Sequence, residues 1–231
     1  MTSGFLTILS FLLVFAGPIE SRAQDARAVI QGKIDRTLAI LRDTGLQNSD
    51  NLPALRRRLI AELEPLFTFR EIAIRALGVH ARQLKPEQID ALTASFKRLL
   101  ERVYIDQLTA HLVKSDNPYK IVDILIARQE LKGNYAKIYS LAKIRKNAEE
   151  ADILMNYRMV NRADQWKVYD VEIEGVSLIE NYRSQFNEVL TNNSFDSLLQ
   201  SIEHNVRTLD ADQVAKPRET IAAKKSTEKN N

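Results

Sequence analysis

The residues best suited to chemistry in this sequence are three carboxylates in its C-terminal third. Asp170, Glu172 and Glu174 alternate along a segment rich in strand-forming residues, so their side chains would share one face of a strand. Inside an apolar pocket, one such carboxylate can act as a general base that abstracts a proton, as in cone-shaped α+β isomerases. Val171 and Ile173 make the opposite face apolar. We therefore interpret the carboxylates as the solvated face of a strand, with Asp170 as a general base as the alternative.

Other residue types that bind metals or phosphate do not cluster in the sequence. His80, His111 and His204 have no second histidine or acidic residue at the spacing of metal ligands, and the chain contains no cysteine. It also has no glycine-rich phosphate loop and no serine of the nucleophile-elbow type. We expect no catalytic residues, no metal and no cofactor, and we predict that the protein is not an enzyme.

The composition is that of a globular protein with one sizeable core. Of the 231 residues, 45% are hydrophobic and 27% are charged, and the formal net charge is only +3. The run from Arg56 to Arg58 is dense in charge, but a helix would spread these side chains around its solvated surface. This pattern gives little support to nucleic-acid binding.

The N-terminus has the layout of a secretory signal peptide. An apolar run from Phe5 to Phe15 precedes a Gly17-Pro18 break, and small residues stand at Ser21 and Ala23. We predict that residues 1–23 are cleaved and that the rest of the chain is exported. Because no lysine or arginine precedes the apolar run, a true start further upstream and an uncleaved anchor stay open as alternatives.

Hydrophobic periodicity predicts helices at both ends of the exported chain. Two sequences resemble capping boxes, Thr68 with Glu71 and Ser177 with Glu180, and each would begin a helix. The segments with helical spacing are 30–41, 53–66, 69–77, 86–108, 178–189 and 195–206.

The middle of the chain alternates instead, which predicts strands. Segments 119–127, 135–144, 151–161 and 166–173 are joined by short turn-like links. We therefore predict an α+β fold with N-terminal helices, a four-stranded antiparallel meander, and C-terminal helices that close an apolar cavity. The domain would span 24–207, followed by a disordered polar tail at 208–231.

One predicted strand carries a distinctive apolar face. Ile153, Met155, Tyr157 and Met159 would all lie on the same side of the third strand. Residue types alone favour an ordinary core at this position. Methionine also suits a cavity with variable contents, because its side chain repacks at low cost.

Three segments resemble the MlaC family, also called the toluene-tolerance or ABC-transporter auxiliary family. They are 66–78, 84–104 and 166–186, and the likeness extends over most of 30–206. The residues that carry it are Phe67 and Phe69, Leu77 with Gly78, Pro86 to Gln88, Tyr104, Tyr169 with Asp170, Glu174 to Ser177, and Arg183 with Phe186.

This resemblance implies a non-enzymatic periplasmic carrier that binds phospholipid tails between its sheet and its helices. The expected partners are an inner-membrane ABC transporter complex with an MCE-domain protein and an outer-membrane lipoprotein complex. A branch associated with hopanoids makes a hopanoid-like lipid an alternative cargo, and a periplasmic adaptor without a ligand is an alternative function.

The predicted binding residues follow from the apolar faces and from this resemblance. Arg183 is predicted at the cavity mouth near a head group, with a surface salt bridge as the alternative. The predicted cavity residues are Phe69, Ile72, Phe96, Leu100, Tyr104, Ile153, Met155, Tyr157, Met159, Tyr169, Val171, Ile179, Tyr182 and Phe186.

Overall fold

Helices precede and follow a single sheet in this computed structural model. It describes residues 25–46, 49–106, 108–109, 119–146 and 149–211, so the predicted signal peptide, His111 and the chain after 211 lie outside the described residues. The helices before the sheet are α1 (Ala26–Arg42), α2 (Leu52–Leu63), α3 (Phe69–Leu77) and α4 (Pro86–Leu100). Those after it are α5 (Leu178–Asn192) and α6 (Phe195–Ala211).

The sheet is an antiparallel meander with the order β1-β2-β3-β4-β5. This confirms the predicted α+β class, with a short fifth strand added to the predicted four. Its strands are β1 (Tyr119–Lys132), β2 (Tyr135–Lys146), β3 (Glu149–Arg162), β4 (Gln165–Ile173) and β5 (Val176–Ser177).

Tight turns keep consecutive strands adjacent. Ala163 and Asp164 join β3 to β4 with φ values of 49° and 59°, and Glu174 and Gly175 join β4 to β5 with φ values of 50° and 80°. Two positive φ angles in a two-residue loop give a turn whose twist matches that of a hairpin. Glycine at 175 meets this requirement without the steric cost that a Cβ would add.

One predicted helix cap and one predicted helix end differ from the structure. Thr68 makes no capping hydrogen bond, so the first predicted capping box is wrong. The Glu71 carboxylate instead binds Arg75 and Arg162, because two guanidinium groups offer stronger charge-assisted bonds than one backbone amide. The helix predicted over 86–108 ends at Leu100 and continues as a π-helical turn, Glu101–Asp106.

The buried residues form two hydrophobic clusters. The first lies between α1, α2 and the face of the sheet that we call the inner face, and includes Ile34, Leu59 and Met159. The second lies among α3, α4, α5 and α6, and includes Leu92 and Phe186. The fold thus has one core against the sheet and another within the helices.

A buried carboxylate joins the sheet to α5. Asp170 on β4 accepts hydrogen bonds from the Ser177 hydroxyl at 2.7 Å and from the Ile179 amide at 3.1 Å. Ser177 in turn caps α5 by accepting from the Glu180 amide at 3.1 Å, which confirms serine as the predicted N-cap. Asp170 therefore satisfies polar groups at the start of α5 and fixes the helix to β4.

None of the helices in the described parts of the chain combines the length and hydrophobicity needed to cross a bilayer.

Replacing Asp170 with alanine tests this junction. We expect a loss of about 2 kcal/mol in the free energy of unfolding, because a buried hydroxyl and a buried amide would lose a charged acceptor. Urea denaturation followed by circular dichroism measures the change. Asp152→Ala, an exposed position on β3, is the matched control and should change stability by less than about 0.5 kcal/mol. Equal effects of the two substitutions would contradict the proposed role of Asp170.

Candidate functional site

One end of the inner face of the sheet is fully covered. Ile138, Met159 and Val168 are each 0% exposed where residues of α1 and α2 pack on the sheet. Met159 on β3 pairs with Val168 on β4. Tyr157, two residues before Met159 and on the same face of β3, pairs with Ile138 on β2. The three side chains therefore lie close together on this face. This end of the face is ordinary core.

The other end of the same face is apolar but only half-buried. Tyr157 and Val171 pair across β3 and β4, and both pack at the margin of the first cluster. Ile124 and Ile126 of β1 have the same partial burial. A row of apolar side chains that is neither core nor fully exposed is typical of a binding surface.

Small residues lie in the middle of this half-buried region. Ser140 pairs with Ile126 and Met155, and Ala142 pairs with Ile124 and Ile153. Directly opposed residues in antiparallel strands share a face, so each small side chain lies between two larger ones. Ser140 and Ala142 are each 1% exposed, so they lie beneath the larger side chains on either side. We call this region the inner-face hollow, and its residues are Ile124, Ile126, Ser140, Ala142, Ile153, Met155, Tyr157, Val171 and Ile173.

Tyr157 places one hydroxyl group in the inner-face hollow. That hydroxyl donates to the Met155 sulfur at 3.1 Å, and a thioether is a weak acceptor. Burial raises the pKa of Tyr157 far above its ordinary value, so the group stays a neutral donor at physiological pH. It can therefore offer a hydrogen bond to a stronger acceptor, such as a carbonyl, without adding charge to the apolar surface.

Eight of the fourteen predicted cavity residues lie elsewhere, in or against the second cluster. The rings of Phe96 and Tyr182 are 4.7 Å apart, and those of Phe96 and Phe186 are 5.1 Å apart, both in edge-to-face contact. Tyr169 contacts the margin of this cluster. The structure therefore separates these helical residues from Met155 and Tyr157. The predicted residues in or against the second cluster are Phe69, Ile72, Phe96, Leu100, Tyr169, Ile179, Tyr182 and Phe186.

Two further predicted residues lie outside both groups. Tyr104 is on the π-helical turn and is 40% exposed, although burial of its hydroxyl raises its pKa. Burial, and to a lesser extent Tyr104, also raise the pKa of Tyr182. Arg183 is exposed on α5 and donates from Nε to the Arg75 carbonyl at 2.9 Å. Its role near a head group stays a prediction.

The carboxylates of β4 are not the solvated face that their alternation predicted. Asp170 is 3% exposed and Glu172 is 9% exposed. A bulge at Tyr169 shifts the register, so that Asp170 pairs with Arg158 while Val168 pairs with Met159. Alternation showed correctly that the two carboxylates share a face, but not that α5 and basic neighbours cover that face.

Glu172 is held as a carboxylate by several donors. Lys137 Nζ lies 3.0 Å and Arg158 Nη2 2.9 Å from its Oε2, and Asn156 Nδ2 lies 3.1 Å from its Oε1. Burial opposes ionisation, but these hydrogen bonds outweigh it and lower the pKa of Glu172. Glu172 and Asp170 are thus both engaged in structural contacts on the side of the sheet opposite the inner-face hollow.

Within the described residues, no three or more histidine, cysteine, aspartate or glutamate side chains converge in a way that could hold a metal ion.

Sequence reasoning missed the floor of the inner-face hollow. Ser140 and Ala142 alternate with larger residues along β2, and this alternation of small with large side chains is the signal that could have revealed this floor. Ile124 and Ile126 were also missed, since assigning them to this face requires the cross-strand register.

The geometry defines a class of α+β protein in which helices cover part of a meander and leave an apolar surface on it. A family model described as MlaC protein matches residues 31–204. The chain belongs to the MlaC family.

The solved structures include one of similar fold. It is the phospholipid-binding protein from Ralstonia solanacearum in complex with a phospholipid, 24% identical in sequence, with a TM-score of 0.65 over 80% of this chain and 99% of that chain. This likeness shows a shared fold. Comparison with curated proteins finds no match.

The acid sensitivity of the fold should depend on Glu172. Because its folded pKa is lowered, its contribution is present above the unfolded value of 4.5 and is lost as the pH falls through the folded pKa. Glu172→Gln should therefore cost about 1–2 kcal/mol at pH 7, and this difference from wild type should shrink towards pH 3. Urea denaturation across this pH range measures it.

Glu188→Gln, on the exposed side of α5, is the matched control and should follow the wild-type curve. A cost of Glu172→Gln that stays constant between pH 7 and pH 3 would contradict the ionic role of this residue.

Proposed function

We propose that this protein is a periplasmic carrier that binds phospholipid acyl chains in the inner-face hollow. The observation that carries the proposal is a half-buried apolar face with a floor of small residues, Ser140 and Ala142, in a member of the MlaC family. Such a surface needs a hydrophobic occupant to be fully shielded from water.

The physical need for such a carrier follows from the hydrophobic effect. An acyl tail of about 14 methylenes costs on the order of 11 kcal/mol when exposed to water, at about 0.8 kcal/mol for each CH₂. Free diffusion of a two-tailed lipid through an aqueous compartment is therefore very rare. A protein that shelters the tails removes most of this barrier and needs no catalytic group.

The related structure supports phospholipid as the cargo. The Ralstonia solanacearum protein has the same fold and is described in complex with a phospholipid. In our proposal the tails contact Met155 and Val171, and the hydroxyl of Tyr157 donates to an ester carbonyl. The head group remains outside.

Export and partners complete the proposal. Residues 1–23 direct the chain to the periplasm, 24–207 form the lipid-binding domain, and the polar segment after it is a tail. The carrier exchanges lipid between an inner-membrane ABC transporter complex with an MCE-domain protein and an outer-membrane lipoprotein complex. The membership in the MlaC family supports these assignments.

Lipid that co-purifies with the protein tests the proposed site. Met155→Asp should abolish the lipid adducts seen by native mass spectrometry, because a carboxylate in the inner-face hollow would have to be desolvated by the tails. Leu154→Asp is the matched control, since the adjacent Leu154 lies on the opposite face and is 50% exposed. It should retain lipid at the wild-type level.

A second variant separates loss of the site from loss of the fold. Ala142→Leu raises the floor of the hollow without adding charge, at a cost of about 1–3 kcal/mol in stability. A folded Ala142→Leu protein, checked by circular dichroism, should bind less lipid. Wild-type amounts of lipid on folded Met155→Asp and Ala142→Leu proteins would contradict the proposed site.

A further inference from the structure

A basic depression lies between the end of α3 and the middle of α5, on a different part of the surface from the inner-face hollow. Its volume is about 590 Å³. It combines two arginines, an apolar rim and polar side chains of α5. The residues that line it are Leu77, Gly78, Val79, Arg82, Arg183, Ser184 and Asn187.

The side chain of Arg183 is held in place in this depression. Its Nε donates to the Arg75 carbonyl at 2.9 Å. Its aliphatic part lies against Gly78, where an added Cβ would be 3.4 Å from Arg183 Cδ. With one nitrogen anchored and the stem packed, the terminal nitrogens form a guanidinium fork of fixed position. Such a fork matches the two oxygens of a carboxylate.

The two arginines of the depression lack carboxylate partners within the described parts of the chain. Arg82 and Arg183 have no acidic oxygen within ion-pair distance there, whereas Arg75 pairs with Glu71 at 2.7 Å and Arg158 with Glu172 at 2.9 Å. Two unpaired positive charges that line one concavity produce a local positive potential. A ligand with negative charge would therefore be attracted to this place.

An exposed valine adds an apolar contact beside these charges. Val79 is 73% exposed at the rim, in the 3₁₀ turn Gly78–Gln83 that follows α3. A concave surface admits a protruding side chain, whereas the plane of a bilayer would touch its rim alone. The shape thus favours a protein segment over a lipid surface, and the charge favours an acidic one.

We infer that this basic depression docks an acidic segment of a partner protein, with a carboxylate between Arg82 and Arg183 and an apolar side chain on Val79. The inference rests on the proposed carriage of lipid in one respect, since a carrier must dock to the proteins that load and unload it. Docking on α3 and α5 leaves the inner-face hollow free for cargo.

A synthetic peptide tests the inference on the full exported chain. The probe is a six-residue peptide of alternating glutamate and leucine, titrated at low salt and followed by amide chemical shifts in ¹⁵N NMR spectra. We expect saturable shifts at Val79 and Ser184, and about a tenfold weaker affinity for Arg183→Gln, as for loss of one charge-assisted bidentate contact. The exposed Arg57 on α2 supplies the matched control Arg57→Gln, which should bind as wild type.

Three results would overturn the docking inference. The first is that Arg57→Gln weakens peptide binding as much as Arg183→Gln does. The second is that a peptide with glutamine in place of glutamate binds as tightly as the acidic peptide, and the third is that the amides of Val79 and Ser184 do not shift. Vesicles of phosphatidylcholine and phosphatidylglycerol that shift the same amides without any effect of the peptide would reassign the depression to a membrane surface.

Lipid co-purification separates this inference from the proposed function. Arg82→Gln should keep its lipid adducts in native mass spectra. Loss of lipid from that variant would place the basic depression in the lipid site, so the docking inference would fail while lipid carriage stood. Specific peptide binding by a wild-type protein that never carries lipid would leave the docking surface valid and overturn the carrier function.

Discussion

The length of the strands relative to the helices is the constraint on which this structure depends. Strands β1 and β3 each have 14 residues, which gives about 46 Å at about 3.3 Å per residue. Helix α1 has 17 residues and is about 26 Å long at about 1.5 Å per residue. A helix of this length cannot cover strands of that length. The inner face is therefore core at Met159 and half-buried at Met155, only four residues away.

The second requirement is a rigid attachment of the C-terminal helices. Asp170 provides it on the side of the sheet opposite the hollow, where it accepts from the Ile179 amide at the start of α5. On the same side, Glu172 pairs with Lys137 and Arg158 of the neighbouring strands. Since these charges are paired and hydrogen-bonded, their burial costs little relative to an unpaired charge. The second cluster is thereby fixed on one side of the sheet. The hollow lies on the other side, and its floor is formed by residues of the sheet alone.

Much of this arrangement could be predicted from local sequence, because local patterns determine local structure. Alternation gave the strands and the common face of Met155 and Tyr157, and the serine at 177 gave the start of α5. The division of the apolar residues between the inner-face hollow and the second cluster was not predictable from local patterns. Phe96 and Tyr182 have the same residue types as a cavity wall, and only the packing of α4 against α5 shows that their rings contact each other. The bulge at Tyr169 likewise depends on pairing with β3.

The most direct test of the central claim is to locate a bound acyl chain by paramagnetic NMR. A phospholipid with a nitroxide on its tail would be loaded into protein with labelled methyl groups, and the broadening of each methyl signal would be measured. If the tail occupies the inner-face hollow, the methyl signals of Met155 and Ile124 broaden. The signals of Leu154 on the opposite face and of Ile179 in the second cluster stay sharp. Broadening of Ile179 with a sharp Met155 signal would contradict the account.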